Sequence, residues 1–156
     1  MRVKATSVWP IVDAHGPEMD RAETVTVFND LCVMAPAALL DAPVAWEVVD
    51  EQQVGGTYTA AGRSVTARLV FNDDHELVDF VSEDRSRAFP DGKTFIRQRW
   101  STPVREYREV DGRYRATVGE GRWHAPAPEG QFAYLEFLID SIDYNLGARA
   151  VAGAAR

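Results

Sequence analysis

The residues with the clearest chemical potential are one carboxylate and the cations around it. A hairpin turning at Asp111-Gly112 places Glu120 on one face with Arg105, Arg99 and Arg122, and Tyr107 farther along. Two chemistries fit that grouping. Guanidiniums hold a carboxylate ionised through charge-assisted hydrogen bonds, which makes a structural clamp. The alternative is an enzyme using Glu120, Arg105 and Tyr107 in a cleft, although acid–base work wants a pKa nearer neutrality and arginines push it away. Trp46, Trp100 and Trp123 offer either core or the wall of an apolar pocket. With the arginines they define a candidate ligand site of Trp46, Arg99, Trp100, Arg105, Tyr107, Glu120 and Trp123; no residue is assigned a catalytic role.

Other chemistries find little support. His15, His75 and His124 are scattered, and no Cys/His/carboxylate spacing suits zinc or iron, so no metal is expected. There is no Gly-x-Ser-x-Gly elbow, and Cys32 falls on the apolar stripe of a helical pattern, where it reads as a small buried hydrophobe. Gly55-Gly56 lacks the lysine and helix of a phosphate loop, and no cofactor is expected.

Charge narrows the partners. The net charge of −7 argues against nucleic acid as a general partner. Between Arg85 and Arg122, however, ten basic residues face five acidic ones, leaving −12 for the remainder. Either the basic strands pair with acidic neighbours or they form a pocket for an anionic group; a nucleic-acid site comes third, because the aromatic residues here pattern as core rather than stacking platforms. No stretch approaches the roughly 18 consecutive apolar residues of a spanning helix. One cysteine and no secretory-type leader make a cytoplasmic setting the default expectation.

The elements that must position these residues begin with Lys93–His124, read as two long strands folded at Val110-Asp111-Gly112-Arg113. Asp-Gly between β-prone runs suits a type I′ turn, which needs positive φ at both central residues. The register follows: Val110 opposes Arg113, Tyr107 opposes Ala116, Arg105 opposes Val118, and Trp100 opposes Trp123. Near the turn Tyr107, Tyr114, Ala116 and Val118 share a face, while Ile96, Trp100, Val104 and Trp123 lie on the other. The core-facing side must therefore switch, and a bulge at Ser101-Thr102-Pro103 is expected to do it. Gly119 and Gly121 would let the second strand curve or accept a bulky neighbour.

Upstream, Arg2–Val12 reads as a strand interrupted near Pro10, and it fits an edge strand or a chain that is a piece of something longer. Pro17 opens a helix over 17–31 with Val25, Phe28 and Cys32 on its stripe, and Pro36 starts a further short turn. Strands follow at Val44–Val49, Gln53–Ala60, Ser64–Phe71 and Glu76–Arg87. Gln131–Asn145 fits a helical stripe and, less cleanly, a strand; the strand is preferred because a long edge needs a partner. The predicted fold is α+β: a strongly curved, half-barrel-like antiparallel sheet of about seven or eight strands with one main N-terminal helix, in a single domain over 1–146, then a flexible tail over 147–156.

The run Trp100-x-x-Pro103-x-x-x-Tyr107-Arg108-Glu109-Val110-Asp111-Gly112, continued by Gly119-Glu120-x-x-Trp123, resembles a bacterial family of unknown function. So do Val12-Asp13-Ala14-His15-Gly16-Pro17-Glu18, Ala60–Phe71 with its polar turn at Asp73-Asp74, and Ile142-Asp143-Tyr144-Asn145, so the resemblance covers most of 8–145. The family's pattern of curved antiparallel strands with helices to one side looks like the half-barrel of periplasmic lipoprotein carriers, which is analogy of fold only. The leading expectation is non-catalytic binding of a hydrophobic or anionic amphiphilic small molecule between sheet and helix. An enzyme at Glu120 is second. A structural or oligomerisation module, acting as a homo-oligomer, is third.

Overall fold

The computed structural model describes residues 2–5, 9–13, 16–89 and 91–144. Strands β1 (Arg2–Ala5) and β2 (Trp9–Asp13) pair antiparallel, so the single interrupted strand expected here is a small hairpin instead. Pro10 lies beside a register shift, where a proline costs the ladder least. Helix α1 (Pro17–Val33) follows Gly16, whose φ of 112° suits glycine. It ends at Val33 rather than Leu31. Pro36 bars the residue before it from helical backbone, and Ala35 duly sits at φ −136°, ψ 54° ahead of a 3-10 turn over Pro36–Leu40.

The main sheet is antiparallel and has eight strands, confirming the α+β reading. It runs β3 (Val44–Val48), β4 (Gln53–Ala60), β5 (Arg63–Phe71) and β6 (Leu77–Ser82) as a meander. The chain then leaves the sheet. β7 (Ser86–Ala88) and β8 (Phe95–Arg97) form a hairpin of their own, so neither the strand expected over Glu76–Arg87 nor the hairpin arm expected from Lys93 is continuous. The cause is tertiary: Ser86 Oγ donates to Glu18 Oε2 at 2.6 Å, tying this hairpin to the start of α1.

The sheet resumes as β9 (Trp100–Ser101), β10 (Val104–Val110), β11 (Arg113–His124) and β12 (Gln131–Leu138). β9 and β10 lie along the same edge of β11 in one unbroken register, with Trp100 opposite Trp123, Val104 opposite Gly119, Tyr107 opposite Ala116 and Val110 opposite Arg113. Asp111 and Gly112 have φ of 50° and 73°, the type I′ signature expected. Residues 131–138 are a strand, as preferred, but a bulge leaves Tyr134 unpaired between Ala133 and Leu135. That resets the alternation, so Phe132 packs with the core around Phe28 and Phe80, and Phe137 with Val33, Val104 and Ala116. The proposed tail at 147–156 lies outside the described residues.

The face switch falls elsewhere than expected. No bulge forms at Ser101-Thr102-Pro103; the ladder to β11 simply lapses there while Thr102 and Phe80 exchange backbone hydrogen bonds at 2.8 and 3.4 Å. Val104 and Tyr107 are three residues apart, so a regular strand puts them on opposite faces. Both nevertheless belong to one cluster with Val33 and Ala116. Between them Glu106 takes φ 58°, and that left-handed residue turns the strand over. The glycine expectation holds on β11: a Cβ at Gly119 would run into the ring of Phe137, and one at Gly121 would sit 3.1 Å from Tyr134 Cε1.

α1 packs on β5 and β6 of the main sheet and on β7 of the outlying hairpin. Val25, Phe28 and Cys32 meet Tyr58, Val65, Leu69 and Phe80, with Trp100 and Trp123 completing the core. Phe28 stacks on Tyr58 at 5.3 Å and meets the edge of Phe80 at 5.4 Å, geometries favourable for aromatic pairs.

Candidate functional site

The end of α1 does not close onto the sheet. Because the helix stops at Val33 and Pro36 starts a short turn, a cleft of about 590 Å³ opens beneath it. Its floor is Leu69 and Phe71 of β5, Leu77 of β6, Val104 and Tyr107 of β10 and Ala116 of β11; Cys32, Val33 and Leu39 roof it. Such a volume with mostly apolar walls is typical of small-molecule sites. One end differs. There Arg113, Tyr114, Arg115 and Tyr144 line the cleft, and among the described residues no carboxylate lines any part of it.

Arg115 is the unusual residue. It is only 8% exposed, yet no described carboxylate lies within salt-bridge reach. Nη1 donates a long hydrogen bond, 3.5 Å, to the carbonyl of Met34, and buried Nε has no acceptor among the described residues. Met34 follows directly on α1, where helix carbonyls carry partial negative charge, so among the described residues Arg115 meets a dipole but no counter-ion. The same carbonyl accepts from Tyr144 Oη, and the Tyr144 ring lies 5.5 Å from the Arg115 guanidinium and 4.9 Å from that of Arg113. Removing a guanidinium from water without a paired anion is costly. The arrangement can therefore accept an anion from a ligand.

The other polar groups of the cleft are engaged. Tyr107 Oη donates to the Leu77 carbonyl at 2.8 Å, and burial raises its pKa. Tyr114 Oη donates to Glu76 Oε1 at 2.7 Å, a hydrogen bond that likewise raises its pKa. Burial pushes the Cys32 thiol up to about 12, so at neutral pH it is an apolar lining group, as its place on the helix stripe implied.

The residues expected to form one site are dispersed. Tyr107 alone lines the cleft. Trp46 is half exposed on the edge strand β3, 6.0 Å from Phe28. Trp100 and Trp123 are a buried cross-strand pair; Trp100 Nε1 donates to Tyr134 Oη at 3.2 Å. Arg99 is exposed, 3.8 Å from Glu83. Glu120 and Arg105 do meet, at 2.9 Å, and Arg122 reaches the other oxygen at 2.6 Å. The hydrogen bond from Arg122, opposed by burial and aided by Arg105, holds the Glu120 carboxyl below its usual range. That is the clamp. Neither Glu120 nor Arg105 approaches the cleft that Tyr107 lines.

Two features escaped sequence reasoning. Arg115 and Ala116 are adjacent yet both line the cleft, which period-two alternation does not allow. Asp79 is a second surprise: burial raises its pKa to about 6, although the backbone of Phe80 and the charges of Arg99 and Arg122 pull it back. Its Oδ1 has no partner. No group of three or more metal-ligating side chains occurs among the described residues, and no described helix is long and apolar enough to cross a membrane. Residues 1–137 match the model described as "Family of unknown function (DUF6544)". No curated protein and no solved structure matches the chain.

Proposed function

The chain belongs to DUF6544, a family of unknown function, and from its own geometry we propose that it is a non-catalytic binding protein for an anionic amphiphile. The cleft under the end of α1 takes the apolar body. Arg115, with Arg113 beside it, takes a carboxylate or similar head. The observation that carries this reading is Arg115: a buried guanidinium with no counter-ion among the described residues, at one end of a cleft whose walls are otherwise mostly apolar. The arrangement of antiparallel strands with a helix to one side looks like that of lipoprotein-carrier half-barrels, which is an analogy of fold only. Among the described residues no tryptophan lines the cleft, so a binding assay that does not rely on tryptophan fluorescence suits it better.

The test compares a long-chain fatty acid with the alcohol of equal chain length, by isothermal titration and thermal melting. The acid should bind the tighter by at least about tenfold, since a hydrogen bond to a charged group is worth roughly 1.5–3 kcal/mol. At a hundred times Kd it should stabilise the fold by about 2.7 kcal/mol. Arg115→Met should erase the preference for the acid. If neither compound binds and solvent extraction of the purified protein yields no lipid, the reading is wrong. The runner-up, an oligomerisation module, draws on two of the edge strands, where Trp46 and Val48 of β3 and Leu135 and Leu138 of β12 are exposed. Native mass spectrometry at micromolar protein distinguishes the two by subunit count and bound mass.

A further inference from the structure

A second hollow, of about 280 Å³, opens beside the first half of α1 and shares no lining residue with the cleft. Met19 and Ala22 of α1, Ala88 of β7, Trp123 of β11 and Phe132 of β12 give it apolar walls. Two of its polar residues are already engaged: Arg87 donates to both oxygens of Glu129 at 2.9 Å, and Ser86 donates to Glu18.

Arg85 and Tyr134 are not. The Arg85 guanidinium carbon lies over the Trp100 ring, 4.2 Å from its centroid, and 5.7 Å from that of Trp123. A cation over a ring still has N–H groups with which to donate. Among the described residues no carboxylate comes within 4.0 Å of it and none of its N–H groups has an acceptor. Tyr134 Oη accepts from Trp100 Nε1, so its own proton is free to donate, and no described acceptor takes it. Burial lowers the pKa of Arg85, partly offset by Tyr134 and by the more distant carboxylates of Glu23 and Asp30, neither of which reaches ion-pair distance. Two donors thus converge on one apolar hollow. Glu23, exposed at the rim, is also without an ion pair among the described residues, and it disfavours a doubly charged anion.

We propose that this hollow is a separate binding site for a small monocarboxylate bearing a ring or short branched chain. The carboxylate accepts from Arg85 and Tyr134, and the apolar body rests on Trp123 and Phe132. The volume is too small for the long chain assigned to the cleft, so the two sites take different ligands.

Hydrocinnamate is the probe, and the fluorescence of Trp100 and Trp123 is the reporter. Titration should give a saturable change. Its neutral amide should bind about tenfold more weakly or worse, as expected for loss of a charged hydrogen-bond pair. Arg85→Gln should abolish the discrimination between acid and amide, and Tyr134→Phe should weaken the acid several-fold. Arg115→Met should leave the titration unchanged, which separates this site from the cleft whatever the cleft binds. Arg85 supports the Trp100 ring, so its variant is checked by circular dichroism and melting; if it does not fold, Tyr134→Phe decides. The proposal is overturned if hydrocinnamate gives no saturable signal, if acid and amide bind alike, or if Tyr134→Phe titrates as the parent does.

Discussion

Replacing Asp79 by asparagine should stabilise the protein at neutral pH and leave it nearly unchanged in mild acid. Asp79 carries an oxygen with no partner, and burial raises its pKa to about 6. An unfolded aspartate titrates near ~3.9, so the folded state holds its proton about two pH units longer. The sign follows from linkage. Between those two values the native state binds more protons than the unfolded one, so stability falls as pH rises and the loss is complete above about 6. Two units correspond to about 3 kcal/mol as an upper bound. Asp79 keeps some solvent contact, and the expected gain for the variant is accordingly about 1–2 kcal/mol. Urea melts of parent and variant at pH 4 and pH 7.5 supply the test. A variant less stable than the parent at pH 7.5, or a difference that does not change with pH, would refute the claim that this carboxylate is buried at a cost.

Glu120 should behave in the opposite sense. Its folded pKa is lowered by Arg122 and Arg105, so its contribution is present above the unfolded value and disappears as pH falls through the folded one. Glu120→Gln should therefore lower the melting temperature at pH 7, with the deficit shrinking toward pH 3; a deficit that persists in acid would mean the clamp is not the cause. At the hairpin turn, Gly112 has φ 73°, which a β-branched side chain resists. Gly112→Val should cost about 1–3 kcal/mol in urea melts, and an unchanged midpoint would count against the type I′ turn.

What the sequence made legible is what local chemistry decides. Asp111-Gly112 sets a turn by backbone preference alone, and the turn sets the whole register out to Trp100 and Trp123. Pro17 and the stripe Val25, Phe28, Cys32 similarly define α1. The misses have tertiary causes. Nothing in Ser86–Ala88 says that Glu18, far earlier in the chain, will hold it away from the sheet. Glu106 takes a left-handed conformation although glutamate carries no turn signal, so the face switch could be inferred but not placed. The candidate site suffered most from this. Sequence reasoning gathered tryptophans and arginines by face along an idealised hairpin. Once the strand turns over at Glu106, Tyr107 faces the end of α1, while Arg105 stays with Glu120. Arg115 becomes recognisable only when the described residues around it are seen to include no carboxylate.

The order of the sheet also bears on how the chain folds. Each ladder joins strands that are consecutive along the sheet's path, and the connecting loops span two to six residues except for the excursion over 83–99. Short loops close at little entropic expense, and topologies rich in near-neighbour contacts reach the native state sooner than those that wait on distant pairings. Even the long excursion is subdivided, since β7 and β8 form their own hairpin and can dock on α1 through Ser86 before β9 meets β6. A sheet of eight strands is thereby assembled without any strand searching across the whole chain for its mate. The interval in which the inner strands β5, β6 and β11 lie unpaired is correspondingly brief.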